Sequence, residues 1–174
     1  MSGAAHAVSR EGQHPFVDLH AHSTASDGSR LPADVARAAC DAGLAAIALT
    51  DHDTLSGLDE ATATGKDIGV RVIAGVELSA VEGDDETHVL GLHISERGDM
   101  ERRLVELREM RVGRAERMVR RLNELGYPVT MESVLKESAG GAVGRPHVAR
   151  ALIAGGWVLD FREAFDKLIG NGRP

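Results

Sequence analysis

The stretch that most constrains the fold is Leu44–Thr50, LAAIALT, which breaks abruptly into Asp51-His52-Asp53. A strand with one wet face alternates apolar and polar residues. A run that is apolar throughout reads instead as a strand buried on both faces, as in a parallel sheet covered by helices. The segments around it fit that reading. Ala33–Ala42 (ADVARAACDA) suits a helix, with Pro32 at its first position and Gly43 as its stop. A second helix follows over about Gly57–Ile68, then a third strand over Val70–Leu78 (VRVIAGVEL). An acidic turn, Glu82–Glu86, leads to a fourth strand, Thr87–Ile94 (THVLGLHI). Ahead of them all, Phe16-Val17 reads as the end of a buried strand. The order strand, helix, strand, helix, strand, strand predicts an α/β fold, layered or barrel-like. In such folds the functional site lies at the carboxyl ends of the parallel strands.

Polar residues collect at those ends. His20 and His22 stand two apart after the first strand, a spacing that puts both imidazoles on one side of an extended chain. Taken alone, the pair is as readily two loop histidines. However, His52 closes the second strand, Glu77 ends the third, Asp27 lies in the first loop and His88 sits in the fourth strand. One cluster at one rim accounts for His20, His22, Asp27, His52 and Glu77, and imidazole with carboxylate suits zinc, manganese or iron. Asp18 is assigned no metal, and His93 is left outside the ligand set. Asp51 and Asp53 flank His52 and read either as carboxylates that orient imidazole or as loop caps.

Composition removes several alternatives. The single cysteine, Cys40, excludes an intrachain disulfide and a thiolate-rich zinc site, and fits a reducing, cytoplasmic setting. A formal charge of −7 argues against a general nucleic-acid coat protein. No apolar run approaches membrane-spanning length, and the N-terminus lacks an apolar signal core.

From Arg97 the character changes. Asp99–Leu125 has the apolar spacing of an amphipathic helix, stopped by Gly126 and Tyr127-Pro128. Nine Arg against five acids fall between Arg97 and Arg121. Most of that run reads as a solvated face paired with Glu101, Glu106, Glu109 and Glu116. Arg114 and Arg117 share a helix face and are candidate phosphate contacts. A short helix capped by Thr130 follows, then a Gly140-Gly141 loop and two further helices, Pro146–Ile153 and Phe161–Ile169. Arg145 and His147 stand just before a helix start, placed for an anion. The organisation expected is a disordered leader over 1–14, the front half of a barrel over 15–96, a helical insertion or lid over 97–170, and a turn at 171–174.

These residues resemble a known family. HAHSTASDG, LTDHD, GVELS and HVLGL are similar to segments of the PHP (polymerase and histidinol phosphatase) superfamily. GRPHVARAL, DFREAF and GNGRP look like its branch of small metal-dependent phosphoesterases, which includes nucleoside-3′,5′-bisphosphate phosphatases and 5′-to-3′ exoribonucleases. The resemblance spans nearly all of Phe16–Pro174. It implies the N-terminal part of a distorted seven-stranded (β/α) barrel with a helical insertion, and up to three divalent ions (manganese, zinc or iron). His20 and His22 match ligands of one ion, Glu77 the bridge to a second, His88 a ligand of that second, and Asp27 and His52 ligands of the third. A later His and a D-x-H pair complete the family set. This sequence has neither, so the barrel reads as truncated, and full activity from these residues alone is not expected. The activity implied is hydrolysis of phosphate monoesters of nucleotides or short oligonucleotides by metal-activated hydroxide. Glu77, Arg145 and His147 would be catalytic, and Arg114, Arg117 and Arg145 would hold substrate. The competing readings are a histidinol-phosphate-type phosphatase and a non-catalytic metal-binding or interaction fragment. An exposed sheet edge would allow self-association.

Overall fold

Strand β2, Ala46–Leu49, is buried at all four positions in the computed structural model, which describes residues 16–82 and 85–170. The two-residue period divides that burial between two faces. Ile47 and Leu49 pack with Val35 and Ala39 of helix α1 (Pro32–Asp41) and with Leu58 and Ala61 of α2 (Leu58–Ile68). Ala46 and Ala48 meet Ile73 and Leu92 on the other face. The continuous apolar run therefore has the cause the sequence suggests: helices cover one side and small residues line the other.

The sheet order is β1 (Val17–Ala21), β2, β3 (Arg71–Glu82), β4 (Asp85–Leu92). β1 and β2 run parallel, as do β2 and β3, while β3 and β4 form an antiparallel hairpin. The α/β alternation expected from the sequence is present. The fourth strand begins and ends two residues earlier than its apolar pattern indicates.

Phe16-Val17 does not end a buried strand. β1 starts at Val17 and is exposed over Val17–His20, with Phe16 73% and Val17 53% accessible. β1 is the sheet's edge, and among the described residues no strand lies outside it to cover those side chains.

Helix α3, Arg97–Glu124, has 28 residues and is about 42 Å long. Its first half gives Leu104 to the core under the sheet. Its second half gives Ala115, Val119 and Leu122 to a separate core. That second core is built with α4 (Met131–Ser138), α5 (Arg145–Ala154), α6 (Phe161–Ala164) and a π turn, Phe165–Ile169. α3 is thus the shared beam between the sheet and the helical half. Thr130 and Ser133 form a reciprocal capping box at the start of α4.

Two sequence expectations change here. Arg145 and His147 lie inside the first turn of α5, not before it, because extended Gly144 serves as the cap. The segment Phe161–Ile169 is not one uniform helix. A single α turn capped by Asp160 gives way to the π turn, closed by the Gly170 N–H on the Phe165 carbonyl at 3.0 Å. No helix among the described residues is long and apolar enough to cross a membrane. The expected leader over 1–14, the turn at 171–174 and the tip of the acidic turn, residues 83–84, lie outside the described residues.

Candidate metal centre

The first loop owes its shape to an irregularity in β1. The pairing register shifts between Asp18 and Ala21, and an Asp18 carboxylate oxygen accepts the His20 N–H at 3.0 Å. His20 Nε2 and His22 Nε2 end 3.0 Å apart. Both face one oxygen of Glu77: Oε2 lies 2.9 Å from His20 Nε2 and 3.0 Å from His22 Nε2. The second oxygen, Oε1, lies 2.9 Å from His88 Nδ1. Cross-strand pairing explains this contact. Glu77 pairs with Leu90 and Ser79 with His88, so Glu77 and His88 are diagonal neighbours on one face. His52 forms an isolated bridge with Glu77 and points between the two carboxylates. Its Nε2 lies 3.4 Å from Asp27 Oδ2, and its Nδ1 lies 3.5 Å from Glu77 Oε2. The six predicted ligands thus converge as three overlapping groups: His20, His22 and Glu77; His22, Asp27 and His52; His52, Glu77 and His88.

The donor chemistry suits divalent cations. Glu77 is 4% exposed and surrounded by imidazoles. Burial would raise its pKa, but the His20 hydrogen bond and the charges of His52, His20 and His22 outweigh that and lower it. Asp27 behaves alike: burial opposes ionisation, yet the His52 hydrogen bond and the His52, His22 and His147 charges bring it down to about 2. Both carboxylates are therefore anions at neutral pH. Burial, and then His52, pushes the His22 pKa down against the pull of Asp27, Glu77 and Asp51, which keeps its ring neutral and its lone pair available. His52 Nδ1 is buried without a hydrogen-bond partner. An orphaned buried nitrogen is costly, and a cation shared with Glu77 would satisfy it. Imidazole and carboxylate together suit a divalent cation.

The PHP domain family matches residues 18–169. The chain belongs to the PHP family. Among its relatives, a 5′-3′ exoribonuclease of Haemophilus influenzae is 36% identical over 157 residues, covering 90% of this chain and 57% of the relative. A 3′,5′-nucleoside bisphosphate phosphatase of Chromobacterium violaceum is 34% identical over 160 residues, covering 91% and 56%. The crystal structure of a metal-dependent phosphoesterase from Bifidobacterium adolescentis superposes with a TM-score of 0.81 at 33% identity, covering 93% of this chain and 58% of that one. The chain thus spans little more than half the length of the relatives it matches.

In this PHP chain the two aspartates beside His52 serve the loops, not the imidazole. Asp51 accepts from the Ser23 N–H at 2.7 Å and from the Ser23 and Ser26 hydroxyls at 2.6 Å each, which ties down the loop that carries His22 and Asp27. Gly28 closes that loop: a Cβ there would stand 2.5 Å from the His22 carbonyl oxygen. Asp53 takes a left-handed backbone, φ 50°, and accepts from the Ser79 N–H at 2.9 Å and the Ser79 hydroxyl at 2.7 Å. Arg111 reaches across from α3 to donate to both Asp53 and Ser79.

A recess of about 150 Å³ adjoins the cluster, lined by Asp27, His52, His88, Arg111, Arg114, Gly144, Arg145, Pro146 and Phe165. Arg114 and Arg145 therefore face it, whereas Arg117 is exposed and outside it. His147 is 1% exposed and does not line the recess. Its Nδ1 accepts the Gly144 N–H at 2.9 Å, and a further hydrogen bond joins it to the backbone of Ser26. Burial, and then the Arg150 charge, lowers its pKa. His147 thus fastens the start of α5 to the first loop. Arg111 and Phe165 are the recess residues that sequence reasoning missed. Arg111 did leave a trace: it lies seven residues after Leu104 and four before Ala115, a charge on the otherwise apolar stripe of α3.

Proposed function

We propose that this PHP chain binds up to three divalent ions, of manganese, zinc or iron, through His20, His22, Asp27, His52, Glu77 and His88, and serves a phosphoesterase site. The substrates proposed are phosphate monoesters of nucleotides or short oligonucleotides. One observation carries the reading: Asp27, His52 and His88, drawn from two of the three candidate cation groups, border a single recess with Arg114 and Arg145. Neither half suffices alone, since acids and imidazoles could hold an ion with no substrate nearby, and arginines could hold phosphate with no means of cleaving it.

Bound divalent ions neutralise phosphoryl oxygens and bring the pKa of water toward neutrality. The chain's own residues do the rest. Glu77, anionic and shared by two groups, holds the cluster together. Arg114 and Arg145 offer planar donor pairs that match phosphate oxygens, and Arg145 adds its charge to the amide end of the ten-residue helix α5. His147 acts by position, setting α5 and its Arg145 against the loop that bears Asp27. Arg117 meets only a substrate that extends past the recess. Cys40 as sole cysteine fits a reducing cytoplasm.

The test is phosphate release by the purified protein with Mn²⁺ from adenosine 3′,5′-bisphosphate, a short 5′-phosphorylated RNA and histidinol phosphate. Release from the first two and not the third is expected. Release from histidinol phosphate alone moves the protein to the other branch, and release from none removes the phosphoesterase reading.

The exposed edge of β1 favours a further reading, self-association. Among the described residues no strand pairs with the outer side of β1, and with Val17 and Leu19 53% and 42% exposed that side presents an edge another strand can extend. Light scattering should show a dimer or larger species that a lysine at Leu19 reduces to monomer; a wild-type monomer at high concentration excludes it.

A further inference from the structure

Most of the recess lining is polar: Asp27, His52 and His88 at the cation end, Arg114 and Arg145 at the anion-binding end, and Arg111, which is paired with Asp53, behind them. Apart from Gly144, the remaining lining residues are Pro146 and Phe165, both apolar. These two residues give an otherwise polar recess an apolar wall that a flat, carbon-rich group could cover. The ring belongs to a chain with only three Phe, one Trp and one Tyr, so aromatic surface at this place is uncommon for it.

Phe165 is also held in an unusual way. It opens the π turn that follows the single α turn of α6. The wider turn lets Leu168 and Ile169, 6% and 5% exposed, both enter the helical core. Phe165 itself remains only partly buried, packed on that core on one side and bordering the recess on the other. Single π turns inserted in helices recur at functional sites. A ring fixed from behind by a packed core has little rotamer freedom left to lose when a ligand covers it.

We infer that Phe165 is the stacking platform for a nucleobase, so that this site prefers phosphate esters whose leaving alcohol carries a planar ring. The inference rests on the phosphoesterase reading and narrows its substrate class. Stacking is tolerant of base identity because every base offers a π face. Phe165 therefore discriminates nucleotides from aliphatic phosphate esters without choosing among bases. The arginines hold the phosphate in either case, and the ring supplies the difference.

The experiment compares wild-type protein with Phe165→Leu and Phe165→Trp. Turnover is measured with Mn²⁺ on adenosine 3′,5′-bisphosphate and on glycerol phosphate, and adenosine 3′,5′-bisphosphate binding is measured by calorimetry. Phe165→Leu should lose about tenfold or more in nucleotide kcat/KM and affinity, keep its activity on glycerol phosphate within about twofold, and keep wild-type metal content. Phe165→Trp should restore the nucleotide preference. Equal losses on both esters, or unchanged nucleotide binding in Phe165→Leu, overturn the platform. If leucine fails to fold, Phe165→Met gives the same comparison. A wild-type protein that binds nucleotide but hydrolyses neither ester sinks the phosphoesterase reading, while the binding comparison still decides the platform. No nucleotide binding by the wild type overturns the platform directly.

Discussion

Glu77→Gln is expected to lose most of the divalent-cation affinity of the protein and all measurable phosphate release. Gln keeps the shape and one carbonyl oxygen. It replaces an anion with a neutral amide whose NH₂ meets either the His20 and His22 nitrogens or His88, all now within 3.0 Å of a carboxylate oxygen. Two of the three ligand groups contain Glu77, and the third, His22 with Asp27 and His52, does not. The variant should therefore retain a weak residual site while the stoichiometry falls. Loss of a residue that merely supports a metal ligand costs about 10–100-fold in affinity, so loss of a shared ligand should exceed about 100-fold. At a fixed ion concentration that removes about 2.7 kcal/mol of cation-induced stabilisation. Elemental analysis, calorimetry with Mn²⁺, and melting curves with and without the ion read the three quantities. Asp27→Asn is the control, because it touches only the third group. A Glu77→Gln protein with wild-type stoichiometry and an undiminished rise in Tm would show that Glu77 holds no ion.

How much of this was legible beforehand depended on whether the cause of each feature was local. β2 was readable because burial on both faces writes a continuous apolar run into seven consecutive residues. The convergence of His20, His22, Asp27, His52 and Glu77 was readable because parallel strands bring their carboxyl ends to one rim, so position along each strand stands in for position in space; His88, on the antiparallel strand β4, was reached only through the family resemblance. β1 misled, since its apolar residues look the same whether or not an outer neighbour covers them. The π turn at Phe165–Ile169 was invisible because five residues are too few to separate its period from that of an α-helix. Asp51 and Asp53 could only be left open: their partners, Ser23, Ser26, Ser79 and Arg111, lie 25 to 58 residues away. No local pattern encodes those pairings. Arg111 was absorbed into the arginine count of α3, although its place on the apolar stripe set it apart from exposed neighbours such as Arg117 and Arg120.

That buried arginine carries the largest stability effect expected in the molecule. Its side chain and that of Asp53 are 4% and 0% exposed, and the two are in direct contact. Asp53 also holds a left-handed backbone that a non-glycine residue adopts at a cost, offset here by Ser79 and by Arg108, which donates to the Asp53 carbonyl at 2.9 Å. Arg111→Met removes the cation and leaves the carboxylate buried with only the Ser79 donors. Breaking a buried pair from one side costs about 3–5 kcal/mol, mostly through the charge left uncompensated. Urea unfolding should show that loss as a lower midpoint with little change in slope. Amide exchange should rise where the α3 segment bearing Arg108 and Arg111 meets the β2–β3 rim. Adding Asp53→Asn removes the stranded charge, so the double variant should be more stable than Arg111→Met alone. Asp53 follows His52 in the chain and its N–H donates to the Glu77 carbonyl at 3.0 Å, so the Mn²⁺ stoichiometry of both variants is measured alongside, and wild-type stoichiometry separates this effect from the one at Glu77. A single-variant loss below about 1 kcal/mol would place the pair among ordinary surface ion pairs and leave α3 held to the sheet mainly by Leu104, its apolar neighbours and the Arg108 bond to the Asp53 carbonyl.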